Sequence, residues 1–111
     1  MKSGMLDSIK ITMIIVLANL ALAGCSSGPD HSEGMLIVKS NCKVCHGQGI
    51  NGAPIIGNLK MWAPRITQEK STLIEHAMNG YGLMPAKGGN QDLTEEDISK
   101  AIGYMLSQLP E

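Results

Sequence analysis

The most regular apolar pattern lies near the C-terminus, where Ile98, Ala101, Ile102, Met105, Leu106 and Leu109 recur at i, i+3, i+4, i+7, i+8 and i+11. That spacing lines one stripe of an α-helix. Thr94 precedes the stripe, Asp97 follows three positions later in a variant of the capping box, and Pro110 closes the helix. A second stripe, Leu73, Ile74, Ala77 and Met78, predicts another helix, capped by Thr67 or Ser71 and ended by Gly80. A shorter helix is expected from Asn58, an N-cap residue type, carrying Leu59, Met61 and Trp62 until Pro64 disturbs it. An earlier one is expected over about 31–41, with Asp30 as cap and Glu33 three positions on. Gly34 falls inside it at a cost of about 1 kcal/mol relative to Ala, which is either tolerated or needed for close helix–helix approach. Residues 47–57 and 81–92 are rich in Gly and Pro and show no periodicity, so they read as loops. No alternating run of weight suggests a strand. The expected fold class is all-α, with about four helices and two long loops.

The N-terminus follows a different pattern. Lys2 and Lys10 bracket Asp7, and residues 11–23 are apolar except for Thr12 and Asn19. Thirteen residues are short for a membrane span, which needs about 20, but they suit a secretion signal. The run ends in Leu22-Ala23-Gly24-Cys25, which looks like a bacterial lipobox, with Cys25 as the lipidated residue. The expected division is therefore a removed signal over residues 1–24, a lipidated Cys25 and short tether over 25–31, and one domain over 32–111. Six extended tether residues reach about 20 Å, which would keep the domain close to its membrane. Ser26 is compatible with an outer membrane. The expected location is the cell envelope, on the periplasmic or outer face.

Without residues 1–24 the chain has 87 residues, basic residues fall from 9 to 7 and acidic ones from 10 to 9, a net charge of −2. That excludes the basic footprint of nucleic-acid binding. A domain this small usually needs a staple. Phe is absent, and after residue 24 only Trp62, Tyr81 and Tyr104 are aromatic. A large apolar cofactor would fill such a core. Cys42-Lys43-Val44-Cys45-His46 supplies its attachment, because two thiols three residues apart can add to the vinyl groups of one haem and the following imidazole then lies under the iron. A zinc site would need a second ligand pair, and a thioredoxin-like reading would need a βαβ pattern.

His46 is one axial ligand of the expected c-type haem, and a second is needed. Met35, Met78 and Met105 lie on helical apolar faces and Met61 beside Trp62, where Met fills cores. Met84 stands in a loop stiffened by Pro85, and is the candidate distal ligand. His31 and His76 are weaker alternatives, on polar surroundings.

Cys42-Lys43-Val44-Cys45-His46 resembles the monohaem class I cytochromes c. Gly52-Ala53-Pro54, Trp62-Ala63-Pro64-Arg65, Met84-Pro85-Ala86-Lys87-Gly88-Gly89-Asn90 and Tyr104-Met105 make the chain similar to their cytochrome c5 branch over about residues 34–109. Two departures are the missing extra cysteine pair of many members and the lipobox, which the family does not require. The resemblance implies that Pro54 offers its carbonyl to His46, that Trp62 lies at the haem edge with its indole N–H free for a propionate, and that Arg65 pairs with a propionate. It also implies that Gly34 and Tyr104 meet where the first and last helices cross. Val38 stands where the family usually has an aromatic, so packing there is expected to be thinner. The expected function is single-electron transfer by a monomer, between transient redox proteins or membrane respiratory complexes. A haem enzyme or gas binder with a labile distal site, and a fixed electron-entry subunit of a larger complex, are the alternatives.

Overall fold

The computed structural model describes residues 29–111, together with Gly4. The expected signal, Cys25 and most of the tether lie outside the described residues. No helix among the described residues is long and apolar enough to cross a membrane.

The domain is helical, as its apolar stripes require. Helix α1 spans Ser32–Ile37, widens into a π turn over Val38–Cys42, and resumes as α2 over Lys43–His46. Helices α3, Leu59–Ile66, α4, Lys70–Asn79, and α5, Glu95–Ser107, follow. Counting the α1–α2 run once, these are the four expected helices. Among the described residues the nearest thing to a strand is an isolated bridge between Tyr81 and Met84. The helical run therefore does not stop at Asn41, but carries straight through the two cysteines to His46.

The ends of the helices test the cap assignments one by one. Thr94 and Asp97 form the full reciprocal box at the start of α5, and the Asn58 side chain accepts the Met61 N–H at 3.2 Å at the start of α3. At α1 the expected box does not form. The Ser32 N–H donates to Asp30 Oδ1 at 2.9 Å, but the helix begins after His31, and Glu33 turns to Lys100 at 2.6 Å instead. Glu33 is drawn there because α5 crosses at that point. Neither Thr67 nor Ser71 caps α4, which begins after an extended Glu69 with no side-chain cap. Pro64 does not end α3, which runs two residues further to Ile66.

The α1–α5 crossing organises the domain. A Cβ on Gly34 would fall inside the van der Waals radius of the Lys100 carbonyl and 3.0 Å from Tyr104 Cβ. Glycine is therefore required for close approach, and Tyr104 meets it as expected. Beneath the crossing are two apolar clusters. Val38, Trp62, Ala101 and Met105 form one; Ala77, Leu93, Ile98 and Ile102 form the other. Ile37 and Leu106 touch both. Each fully buried Ile or Val contributes about 1.5–3 kcal/mol. Val38, at 2% exposure, is the most deeply buried of these, so the smaller residue is still sealed.

Candidate haem site

The π turn sets the geometry of the cysteine motif. Cys42 ends the turn and Cys45 and His46 lie in α2, three and four positions on, along one side of a helical run. Both thiols are free and half-buried. Cys42 packs against the Val38–Trp62 cluster. Burial, followed by the neighbouring Cys45, pushes its thiol above the ordinary range.

His46 is the buried polar side chain of the described core, 9% exposed. Its Nδ1 lies 2.9 Å from the carbonyl oxygen of Pro54, which is itself buried. A carbonyl only accepts, so Nδ1 carries the proton and Nε2 keeps its lone pair. The Ile56 N–H donates back to the His46 carbonyl at 2.9 Å, so the 47–57 loop is tied to this residue through both side chain and backbone. That loop contains a short 3₁₀ turn, Ile50–Gly52.

Trp62 is 4% exposed and its ring lies 6.3 Å from the His46 ring, inclined by 27°. Its indole N–H is not free, contrary to expectation. It donates to the Ile55 carbonyl at 2.9 Å. The same carbonyl also accepts the Asn58 N–H at 3.0 Å, so one loop oxygen holds both the indole and the start of α3. Arg65 is half-buried and donates one guanidinium N–H to the Met61 carbonyl on its own helix, which leaves further donors on the fork.

Met84 is half-buried and packs against the Ala77–Ile102 cluster. Tyr81 and Met84 exchange backbone hydrogen bonds at 3.0 Å in both directions, making a tight turn with Gly82 and Leu83 at its tip. Gly80 admits this turn. Its φ is +84° and ψ 150°, and a Cβ there would meet the Met84 oxygen and Ala86 nitrogen at 3.0 Å each. His76 stacks on Tyr81 with ring centroids 4.1 Å apart. His31 is half-buried beside the start of α1.

Two residues outside the expected site join its halves. The Asn90 side chain, beyond the Met84 turn, donates to the Asn41 side chain at 2.7 Å. Asn41 immediately precedes Cys42, but no periodicity marks it, and its partner is 49 positions away. The donor chemistry fits a haem. Two thiols and an imidazole with a free Nε2 share one helical run, and a thioether lies on the opposite cluster. Among the described residues no group of three or more His, Cys, Asp or Glu forms a separate metal cage.

Comparison with known proteins gives the same answer. Residues 29–105 match the family model described as cytochrome c oxidase, cbb3-type, subunit III. Cytochrome c-555 of Chlorobaculum tepidum is 37% identical over 102 residues, covering 88% of this chain and 94% of its own length. Cytochrome c5 of Azotobacter vinelandii is 31% identical, covering 74% of this chain and 94% of its own. A solved electron-transfer complex of nitrite reductase with cytochrome c contains a chain that matches with a TM-score of 0.66 and 32% identity, over 69% of this chain and 94% of that one. These relatives are small electron carriers, and this chain belongs with them to the class I monohaem cytochromes c, whose cofactor is one covalently bound haem c.

Proposed function

We propose that the protein is a single-electron carrier in which Cys42 and Cys45 bind the haem and His46 and Met84 are its axial ligands. The observation that carries this reading is the His46–Pro54 contact at 2.9 Å. It orients the ring, commits Nδ1 and raises the basicity of Nε2 toward a metal. When bound, the haem supplies the chemistry, one electron gained and lost at iron. Trp62 stacks beside the His46 ring and Ile56 packs against the Trp62 cluster, which shields that side from water. The neutral Met84 thioether favours the ferrous state and raises the potential relative to bis-histidine ligation. Arg65 is available to pair with a propionate through its remaining N–H groups.

Redox partners would be met transiently, through small contacts of under about 1,200 Å². The nitrite reductase complex of a similar cytochrome supports that mode of action. Cys25, lipidated after removal of residues 1–24, would tether the domain on the periplasmic or outer face of a membrane.

The absorption spectrum of the ferric protein tests the ligand set. Wild type is expected to show the methionine–iron charge-transfer band, and Met84→Ala to lose it together with a lower reduction potential. A wild-type spectrum without the band would remove Met84 from the iron and favour a haem enzyme with an open distal position. Detergent partitioning of Cys25→Ala tests the anchor, and an unchanged membrane fraction would refute it.

A further inference from the structure

Asn41 lies in the π turn next to Cys42, and Asn90 follows the short 3₁₀ turn Ala86–Gly89 beyond Met84. Their half-buried side chains meet at 2.7 Å, with Asn90 Nδ2 donating to Asn41 Oδ1. The direction of this bond is fixed from both ends. Asn41 Nδ2 donates to the Ile37 carbonyl at 3.0 Å, and a carbonyl only accepts. Asn90 Oδ1 accepts the Asp92 N–H at 3.1 Å, and that group only donates. One hydrogen-bonded chain therefore runs from the Asp92 N–H through both amides to Ile37.

The Ile37 carbonyl is the one that a regular α-helix gives to the backbone N–H of Asn41. In the π turn the backbone bonding shifts one residue on, and the Asn41 side-chain amide also donates to this carbonyl, which ties it to the wide turn and aims Oδ1 at the loop. Such turns collect at functional sites. Gly88 lies along the same seam, with a Cβ position 3.8 Å from the Asn41 carbonyl oxygen. Between Met84 and Leu93 no residue is buried, so apolar packing does not hold this stretch. The Asn41–Asn90 bond ties it to the helical run that carries Cys42, Cys45 and His46.

We propose that Asn41 and Asn90 are a positioning pair that latches the loop following Met84 onto the haem-attachment turn and limits how often the distal side opens. This rests on the reading of Met84 as distal ligand. Asn90→Asp keeps the shape and the Asp92 bond but turns an oxygen toward Asn41 Oδ1, and Asn90→Ala removes the partner outright. In the ferric holoprotein, both variants are expected to bind added cyanide about fivefold faster, as loss of one half-buried hydrogen bond predicts. Amide hydrogen exchange at Gly88, Asn90 and Leu93, whose N–H groups are bonded within the loop, is expected to rise by a similar factor. Exchange at Trp62 and Ile102 should stay unchanged.

Loop exchange equal to wild type in both variants would overturn the latch. So would a rise shared equally by Trp62 and Ile102, because that is general destabilisation. A wild-type spectrum lacking the methionine–iron band would overturn the Met84 reading instead, and the exchange measurement still decides whether the loop is latched.

Discussion

The two candidate ligands are held by different physics. His46 is buried, its loop is bonded to it at Nδ1 and at the backbone, and Trp62 fastens the same loop through Ile55. Met84 is half-buried at the end of a turn whose tip, Leu83, is 73% exposed. Its turn is shaped by a glycine, a backbone bridge and the stack of Tyr81 on His76. Burial with satisfied hydrogen bonds makes the histidine side rigid. The methionine side relies on backbone conformation and a few polar contacts, and such regions open at lower free energy.

The largest expected break in this contrast is Gly80→Ala. At φ +84° and ψ 150° the backbone occupies a region that is essentially glycine-only, and the new Cβ would press on Met84 and Ala86. A loss of about 3 kcal/mol is expected in denaturant unfolding. The methionine–iron band should fade at lower denaturant than the helical circular dichroism. A single coincident transition would mean that the two sides are not independent.

Trp62→Phe probes the other side. It keeps most of the buried ring but removes the indole donor from the Ile55 carbonyl, which retains only the Asn58 N–H, for a loss of about 1.5 kcal/mol. Exchange at the Ile56 amide should rise while that at Leu93 does not. Equal rises at both would show that the histidine loop is no separate unit.

The smallest effect belongs to α5, outside both loops. Thr94→Ala removes a cap worth about 1 kcal/mol at neutral pH. The Thr94 backbone N–H, then its hydroxyl, donate to Asp97 and hold that carboxyl below its ordinary value. A depressed folded pKa adds stability above the unfolded value, about 3.9, which is lost as pH falls through the folded one. The stability gap between wild type and Thr94→Ala should therefore narrow below about pH 4. A gap independent of pH across acid titration would show that the Thr94 hydroxyl does not help to hold the Asp97 carboxylate. Neither loop's amide exchange should respond to this change at neutral pH.

Much of the fold was legible because its signals are local. The α5 stripe and its capping box depend on residues within a few positions of one another, so chain order carries them directly. Cys42, Cys45 and His46 form one contiguous motif, and Met84 stands out as the methionine in a Pro-stiffened loop. The α1 cap failed because Glu33 had a better partner in Lys100, a residue near in space and distant in sequence. The free indole expected of Trp62 failed for the same reason, since Ile55 lies in a loop whose path no periodicity describes.

By itself, then, the sequence determined the helices, the attachment motif and the candidate ligands, because spacing along a helix or within a short motif is a property of the chain alone. The family resemblance already implied that Pro54 meets His46 and Gly34 meets Tyr104; only the tertiary structure decided that Gly34 admits the Lys100 carbonyl, that Trp62 bonds Ile55, and that Asn41 reaches Asn90. Those contacts depend on which loops return to which helices. That is settled by burial of the two apolar clusters and by the need of each enclosed polar group for a partner.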